Sequence, residues 1–197
     1  MKVTIFTGNQ VRHNYFINLL SQVADELFVI QEVHSQISGT ESKSKLINEY
    51  FSQVNLSQNR IFKKKKLIKK NNIKIKKIKS GELSKLNLLS INQFLDSDIY
   101  IVFGSSYIKG KLIELLIKNK AINIHMGISP FYRGTDCNFW AMYDNNPHLV
   151  GATIHYLSRG LDSSNILYHS MPKPQKNNLD FTMSSVISAF HSLFNKI

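Results

Sequence analysis

Cysteine is almost absent. Cys137 is the only one in 197 residues, so the chain can form no internal disulfide and no cysteine-based metal cluster. That usage fits a reducing compartment. Long apolar runs are also missing: nowhere do about 18 apolar residues follow one another, and the apolar stretch in the opening MKVTIFTGNQ is too short for a secretion signal. The expectation is a cytoplasmic protein without a membrane segment. No repeat and no linker splits the sequence, so residues 1–197 are expected to form one domain around one core. With 43% apolar and 19% charged residues, the chain cannot be wholly disordered.

Acidic residues are missing from one long segment. Between Arg60 and Lys79 lie 11 of the 25 Lys and Arg residues and none of the 13 Asp and Glu, so the formal charge of +12 is concentrated there. Outside it, 14 basic residues face 13 acidic ones. Aromatics are missing as well: Leu67, Ile68, Ile73, Ile75 and Ile78 interleave the lysines, and Phe62 stands alone at the edge. Single-stranded nucleic acid needs aromatic faces among the cations on which bases can stack. A solvated basic edge is therefore preferred to a nucleic-acid-binding surface, although a phosphate-bearing substrate could use it.

Hydrophobic spacing predicts alternating strands and helices. Residues 1–7 read as a strand ending at Gly8, followed by a helix through Tyr15, Phe16, Leu19, Leu20 and Val23, and a second strand at 26–31. Residues 35–44 read as a loop, 45–62 as a helix, the basic segment as irregular chain, and 83–95 as a helix. The nearly all-apolar run 98–103 suits a central strand covered on both faces. A helix at 111–119, strand at 121–125, helix at 138–143, strands at 151–157 and 166–171, and a helix at 182–196 complete the chain. The fold class is α/β: a mainly parallel, Rossmann-like open sheet with helices on both faces. In such sheets ligands lie beyond the carboxyl ends of the strands, so residues 104–108 and 125–134 are expected to share one crevice.

Two polar side chains occupy alternate positions at a strand end, which turns Asn123 and His125 to the same side. Asp162 follows in a turn between Gly160 and two serines, from which a carboxylate could reach that pair. Taken singly, a strand-end Asn or His serves most often as a hydrogen-bonded structural group, and an Asp in such a turn as an Asx-turn former. Cys137 has no adjacent base and reads as a buried thiol. His34, His148, His169 and His191 belong to no constellation.

The order Asn123-x-His125, then Tyr132-Arg133-Gly134, then Gly151-x-Thr153-x-His155, then Gly160-x-Asp162 resembles the folate-dependent formyltransferases. The resemblance is convincing over residues 98–167, and the first 90 residues match only in their β–α–β rhythm. It implies a formyltransferase catalytic domain that uses 10-formyltetrahydrofolate as donor and a small-molecule amine as acceptor, with no metal. Asn123 and a protonated His125 would donate to the oxyanion of a tetrahedral centre, and Asp162 would orient His125 and help take the amine proton. The pteridine would lie against Phe103, Gly104, Ser105, Ser106, Tyr107, Ile108 and Leu157. His13, Tyr132 and Arg133 are candidate acceptor contacts. His155, in mid-strand, is expected to be a packed structural imidazole.

Departures from the family pattern narrow the acceptor. Glycinamide ribonucleotide formyltransferases carry a glycine-rich phosphate loop where this chain reads TGNQVRHN, with Gly8 alone, and methionyl-tRNA formyltransferases carry a further tRNA-binding domain. The expectation that remains is the amine of a nucleotide-linked sugar. The enzymatic alternatives are formyl transfer to methionyl-tRNA or glycinamide ribonucleotide and hydrolysis of the same folate to formate, and the non-enzymatic one is nucleic-acid binding through the lysines. The sequence does not fix the oligomeric state, a homodimer among the choices.

Overall fold

Alternation along the first strand sets the layers of the molecule. The computed structural model describes residues 1–33, 44–63 and 66–197. In β1 (Lys2–Thr7), Val3 and Ile5 turn to one face of the sheet and Phe6 to the other. The first face is covered by α1 (Val11–Leu20) and α5 (Asn178–Phe194), with Phe62 at the end of α2 (Lys45–Ile61). The second is covered by α3 (Gly110–Lys118) and by short 3-10 turns that supply Leu83, Ile91 and Phe94. Helices thus lie on both faces, as the sequence pattern requires.

The seven strands run in the order β3-β2-β1-β4-β5-β6-β7. Strands β2 (Glu26–Val33), β3 (Ile73–Lys79), β4 (Ile99–Phe103) and β5 (Ile122–His125) are parallel to β1 or to each other, whereas β6 (Ala152–Tyr156) and β7 (Ile166–Ser170) add antiparallel pairs. The chain winds outward from β1 through β2 to β3, then crosses back to β4 on the other side of β1. Beyond the carboxyl ends of β1 and β4, successive loops therefore diverge and leave a crevice. In β4, Ile101 and Phe103 face one core and Tyr100 and Val102 the other, which is why that strand reads as continuously apolar.

Two expectations are corrected. The lysine segment is not irregular throughout: residues 73–79 form the strand β3, which among the described residues pairs only with β2 at the edge of the sheet. Lys74 there bonds Glu26 at 2.8 Å and lies over the Phe28 ring at 5.1 Å. Lysines along an open edge deter pairing with another chain, which gives the charge run a structural reason. Residues 83–95 form not one helix but two 3-10 turns, Leu83–Lys85 and Leu88–Phe94, the second kinked at Ile91. Leu86 and Asn87 between them are extended, and the Asn87 side chain caps the second turn by accepting from the Leu89 N–H. His34 and the loop at 35–43 lie outside the described residues, as do Lys64 and Lys65. Among the described residues, no helix is long and apolar enough to cross a membrane.

Aromatic packing joins α1 and α5 to the sheet. Phe16 and Phe190, both fully buried, stack with centroids 4.2 Å apart and planes within 4°, and Phe103 meets Phe190 edge-on at 4.8 Å. Phe190→Leu is expected to lower unfolding free energy by about 1–2 kcal/mol, combining a change of shape in the core with loss of the stacked partner. Urea denaturation would show this as a lower midpoint at unchanged slope.

Candidate active site

β5 ends in Asn-x-His because the strand ends there: Asn123 and His125 turn to one side, and the chain then loops back over them. Gly127 makes this return possible. A Cβ at that position would lie 2.6 Å from both Cys137 Cβ and His125 Nε2. Thr153, opposite His125 on β6, holds the loop by donating to the Gly127 carbonyl at 2.6 Å and accepting from the Ser129 N–H at 2.9 Å.

Asp162 is the hub of the site. Its Oδ2 lies 3.1 Å from His125 Nδ1 and accepts from the Gly134 N–H at 3.1 Å, and its Oδ1 accepts from Asn123 Nδ2 at 3.3 Å. The sequence pattern thus names three side chains that meet. Asp162 holds a left-handed backbone conformation, φ 45°, uncommon outside Gly, Asn and Asp. Burial alone would raise its pKa, but the neighbouring His155 and His125 and the Gly134 N–H outweigh that and hold the carboxyl below its ordinary value.

His125 is nearly buried, and acceptors flank both ring nitrogens: Asp162 at Nδ1, and the Tyr132 carbonyl at 2.9 Å from Nε2. Burial lowers its pKa, and Asp162 and the Tyr132 carbonyl recover part of that loss. A neutral ring carries one N–H for two acceptors, so the pocket is short of one proton.

His155 is the residue whose proximity the sequence reading leaves out. Antiparallel register sets it directly opposite Asn123. Its Nδ1 lies 2.7 Å from the Tyr156 carbonyl, and its Nε2 lies 3.0 Å from Asn123 Nδ2 and 3.5 Å from Asp162 Oδ1; in the neutral ring with Nδ1 protonated, Nε2 accepts from Asn123. It is a packed, internally bonded imidazole, as expected, but the group it orients is Asn123. Both amide N–H groups of Asn123 are then engaged, one by His155 and one by Asp162.

Around this centre opens a cavity of about 370 Å³. Phe103, Gly104, Ser105, Ser106, Tyr107, Ile108 and Leu157 all line it, together with Asn123, His125, Asp162 and His13. His13 is buried between two glycines: a Cβ at either Gly8 or Gly104 would come 2.7 Å from its ring. Tyr132 and Arg133 do not line it. The Tyr132 hydroxyl bonds Asp144 and Asn146, each at 3.0 Å, and Arg133 is exposed. Cys137 is buried, and burial pushes its thiol up to about 11, far from a nucleophile's range.

A second residue outside the sequence reading is Glu32, fully buried at the end of β2. Its carboxylate accepts from the Ser106 N–H at 2.5 Å, the Ser106 hydroxyl at 2.7 Å and the Gly81 N–H at 2.8 Å. It pins the cavity loop, and it commits the Ser106 amide to the protein itself. Glu32→Ala should strand those donors, cost about 2–3 kcal/mol of stability and raise KM for the ligand of this cavity more than it lowers kcat. Chemical denaturation and steady-state kinetics would measure both.

An amide, an imidazole and a carboxylate meet in the switch-point crevice of a doubly covered α/β sheet, a group of side chains suited to acyl transfer. The formyl transferase family model matches residues 18–184, and the chain belongs to that family, as a folate-dependent formyltransferase. Solved structures with the same fold include a phosphoribosylglycinamide formyltransferase from Anaplasma phagocytophilum, with TM-score 0.61 and 16% identity over 98% of this chain and 83% of that one. A 4-N formyltransferase from Francisella tularensis matches with TM-score 0.58 and 16% identity over 98% and 66% of the two chains. A sugar N-formyltransferase from a Shewanella species matches with TM-score 0.59 and 17% identity over 99% and 67%. At these identities the likeness is one of fold, and it spans enzymes with different acceptors.

Proposed function

We propose that the chain moves the formyl group of 10-formyltetrahydrofolate to the primary amine of a nucleotide-linked amino sugar. The observation that carries the chemistry is the meeting of Asn123, His125 and Asp162 at one end of the 370 Å³ cavity. The pteridine lies against the wall from Phe103 to Ile108 and Leu157, where Ile108, Ile113 and Val102 supply apolar surface.

The amine nitrogen bonds to the formyl carbon and the carbonyl electron pair moves to oxygen. On collapse of this tetrahedral centre the carbon–nitrogen bond to the folate breaks, its electron pair passing to the folate nitrogen, which takes up a proton. Asn123 can release its longer hydrogen bond, 3.3 Å to Asp162, and turn that N–H to the oxyanion while His155 holds the other. The amine proton leaves toward the Asp162–His125 pair, where a second N–H on the ring satisfies both flanking acceptors. The resulting imidazolium adds positive charge where negative charge develops.

The reading of the acceptor rests on the turn after β1. Gln10 N–H donates to His13 Nδ1 at 3.0 Å, and His13 fills the space beside Gly8, so this turn is not an open cradle of N–H groups for a ribonucleotide phosphate. Incubation with 10-formyltetrahydrofolate and a UDP-linked amino sugar, followed by mass spectrometry, tests the proposal. Formylated sugar is expected only when both are present. Formate release without any amine would point to the hydrolase instead.

A further inference from the structure

Protection of a sheet edge does not account for the whole lysine segment. Lys66, Lys69 and Lys70 precede β3, in the chain that leads into it, where there is no ladder edge to defend. That lead is pinned against the end of α1. Asn18 donates to the Lys66 carbonyl at 2.8 Å and accepts from the Ile68 N–H at 2.9 Å, and Asn72 donates to the Ser21 and Ala24 carbonyls at 3.1 and 2.9 Å.

Alternation decides which lysines of the strand share this side. Ile73 packs into the core beneath α1 and α5, so Ile75, Lys77 and Lys79 turn the same way. Lys74 and Lys76 turn to the opposite face, where they meet Glu26 and the Ser90 carbonyl. The α1 side of the edge thus gathers Lys66, Lys69, Lys70, Lys77 and Lys79, all exposed and, among the described residues, without an ion pair. The carboxylates of Asp25 and Glu26, at the start of β2, are already paired with the amino terminus and with Lys74.

Two apolar side chains stand in water among these cations, Ile68 at 50% and Ile75 at 36% exposure. None of residues 66–79 lines the cavity that contains Asn123, His125 and Asp162, so the cations do not serve the ligands of that cavity. Lysines are point charges without the fork that grips one shaped anion, and there are no aromatic faces here for the bases of a single strand. Isoleucines between lysines gain nothing from a polyphosphate chain in water. They suit a bilayer interface, where ammonium groups on flexible stems stay with headgroup phosphates while apolar side chains pass below them. Clusters of roughly four to eight cations are of the size that anionic lipid surfaces attract.

We propose that this edge of the sheet is a docking face for an anionic lipid bilayer: the five lysines are drawn to the headgroups, and Ile68 and Ile75 enter the interface between them. The pinning by Asn18 and Asn72 presents these groups together, so little ordering is required on contact.

Sedimentation of the full chain with vesicles tests this, using phosphatidylcholine alone and phosphatidylcholine mixed with phosphatidylglycerol, each at low and at high salt. Saturable binding is expected to the mixed vesicles only, weakening as salt screens the lysines. Lys77→Ala and Lys79→Ala should each weaken it by about fivefold, the worth of one lysine at such a surface. Ile68→Ser combined with Ile75→Ser should also weaken vesicle binding, yet leave binding to heparin, a polyanion without an apolar layer, unchanged. All four positions are exposed, so circular dichroism should show the native fold in each variant. Equal sedimentation with both vesicle types, none with either, or native binding in the lysine variants would overturn the proposal. So would RNA that binds more tightly than the mixed vesicles and ignores the isoleucine changes, which would give the face to nucleic acid. Formyl transfer between soluble substrates should keep its native rate in all these variants, and a fall would make the lysines part of substrate binding instead.

Discussion

Asp162→Asn should reduce kcat by about two to three orders of magnitude with little change in the circular dichroism of the fold, an effect of the size expected for a preorganised group aimed at developing charge. Asn keeps the side-chain shape and is among the few residues at ease with the left-handed backbone at this position, φ 45°. What it removes is negative charge beside His125, 3.1 Å away, and an acceptor able to serve that ring and the Gly134 N–H together. The pH profile carries the more specific test. Burial already lowers the His125 pKa beneath the ordinary histidine value of about 6.5, and the Asp162 charge recovers part of it. In the role proposed for it the ring receives the amine proton only if it begins neutral, so kcat/KM of the native enzyme should be level above that value and fall on its acid side. Without the Asp162 charge the His125 pKa drops further, so the residual activity of the variant should persist to lower pH than in the native enzyme. A variant with more than a tenth of native turnover, or an acid limb that moves upward, contradicts the role given to this pair.

Much of the framework is legible in the sequence because it follows local rules. Alternation turns Asn123 and His125 to one side, and the continuous apolar run of β4 marks a strand covered on both faces, where Ile101 and Phe103 meet one core and Tyr100 and Val102 the other. What escapes is what depends on register. His155 lies beside Asn123 because β6 runs antiparallel to β5 with those two residues opposed, and one residue of slip would turn it away. Glu32 escapes for a similar reason: in ELFVIQEV it is one more polar residue near a strand end, and its partners lie 49 and 74 positions away. Arg12 is visible as a helix-start cation, but only the tertiary fold sets it in the wall of the cavity. Strand β3 is the instructive miss. IKIKKIK contains a period-2 pattern, but the density of lysine suggests solvated irregular chain, whereas an edge strand accommodates those lysines.

Gly127→Ala is expected to cost about a hundredfold in kcat/KM although residue 127 takes no part in the chemistry. The added methyl group would sit 2.6 Å from His125 Nε2 and from Cys137 Cβ, and 3.0 Å from the Tyr132 carbonyl. Cys137 Cβ belongs to α4 (Cys137–Tyr143) and cannot retreat without moving that helix. The imidazole is the softer neighbour, and it must swing away from the Tyr132 carbonyl, the Asp162 carboxylate, or both. Displacement by a few tenths of an ångström to 1 Å is enough to misalign His125 in the proton-accepting role proposed for it while leaving the cavity able to fill. Binding and catalysis should therefore separate: the folate donor would bind with nearly native affinity and turnover would fall. Cys137→Gly in the same chain removes one of the two closest of these atoms, so the double variant should recover part of the lost rate. Equal loss in single and double variants would mean that crowding against His125, rather than against α4, accounts for the whole effect. Native turnover in Gly127→Ala would mean that the loop yields without disturbing the ring, and that His125 is held less tightly than its two flanking acceptors require.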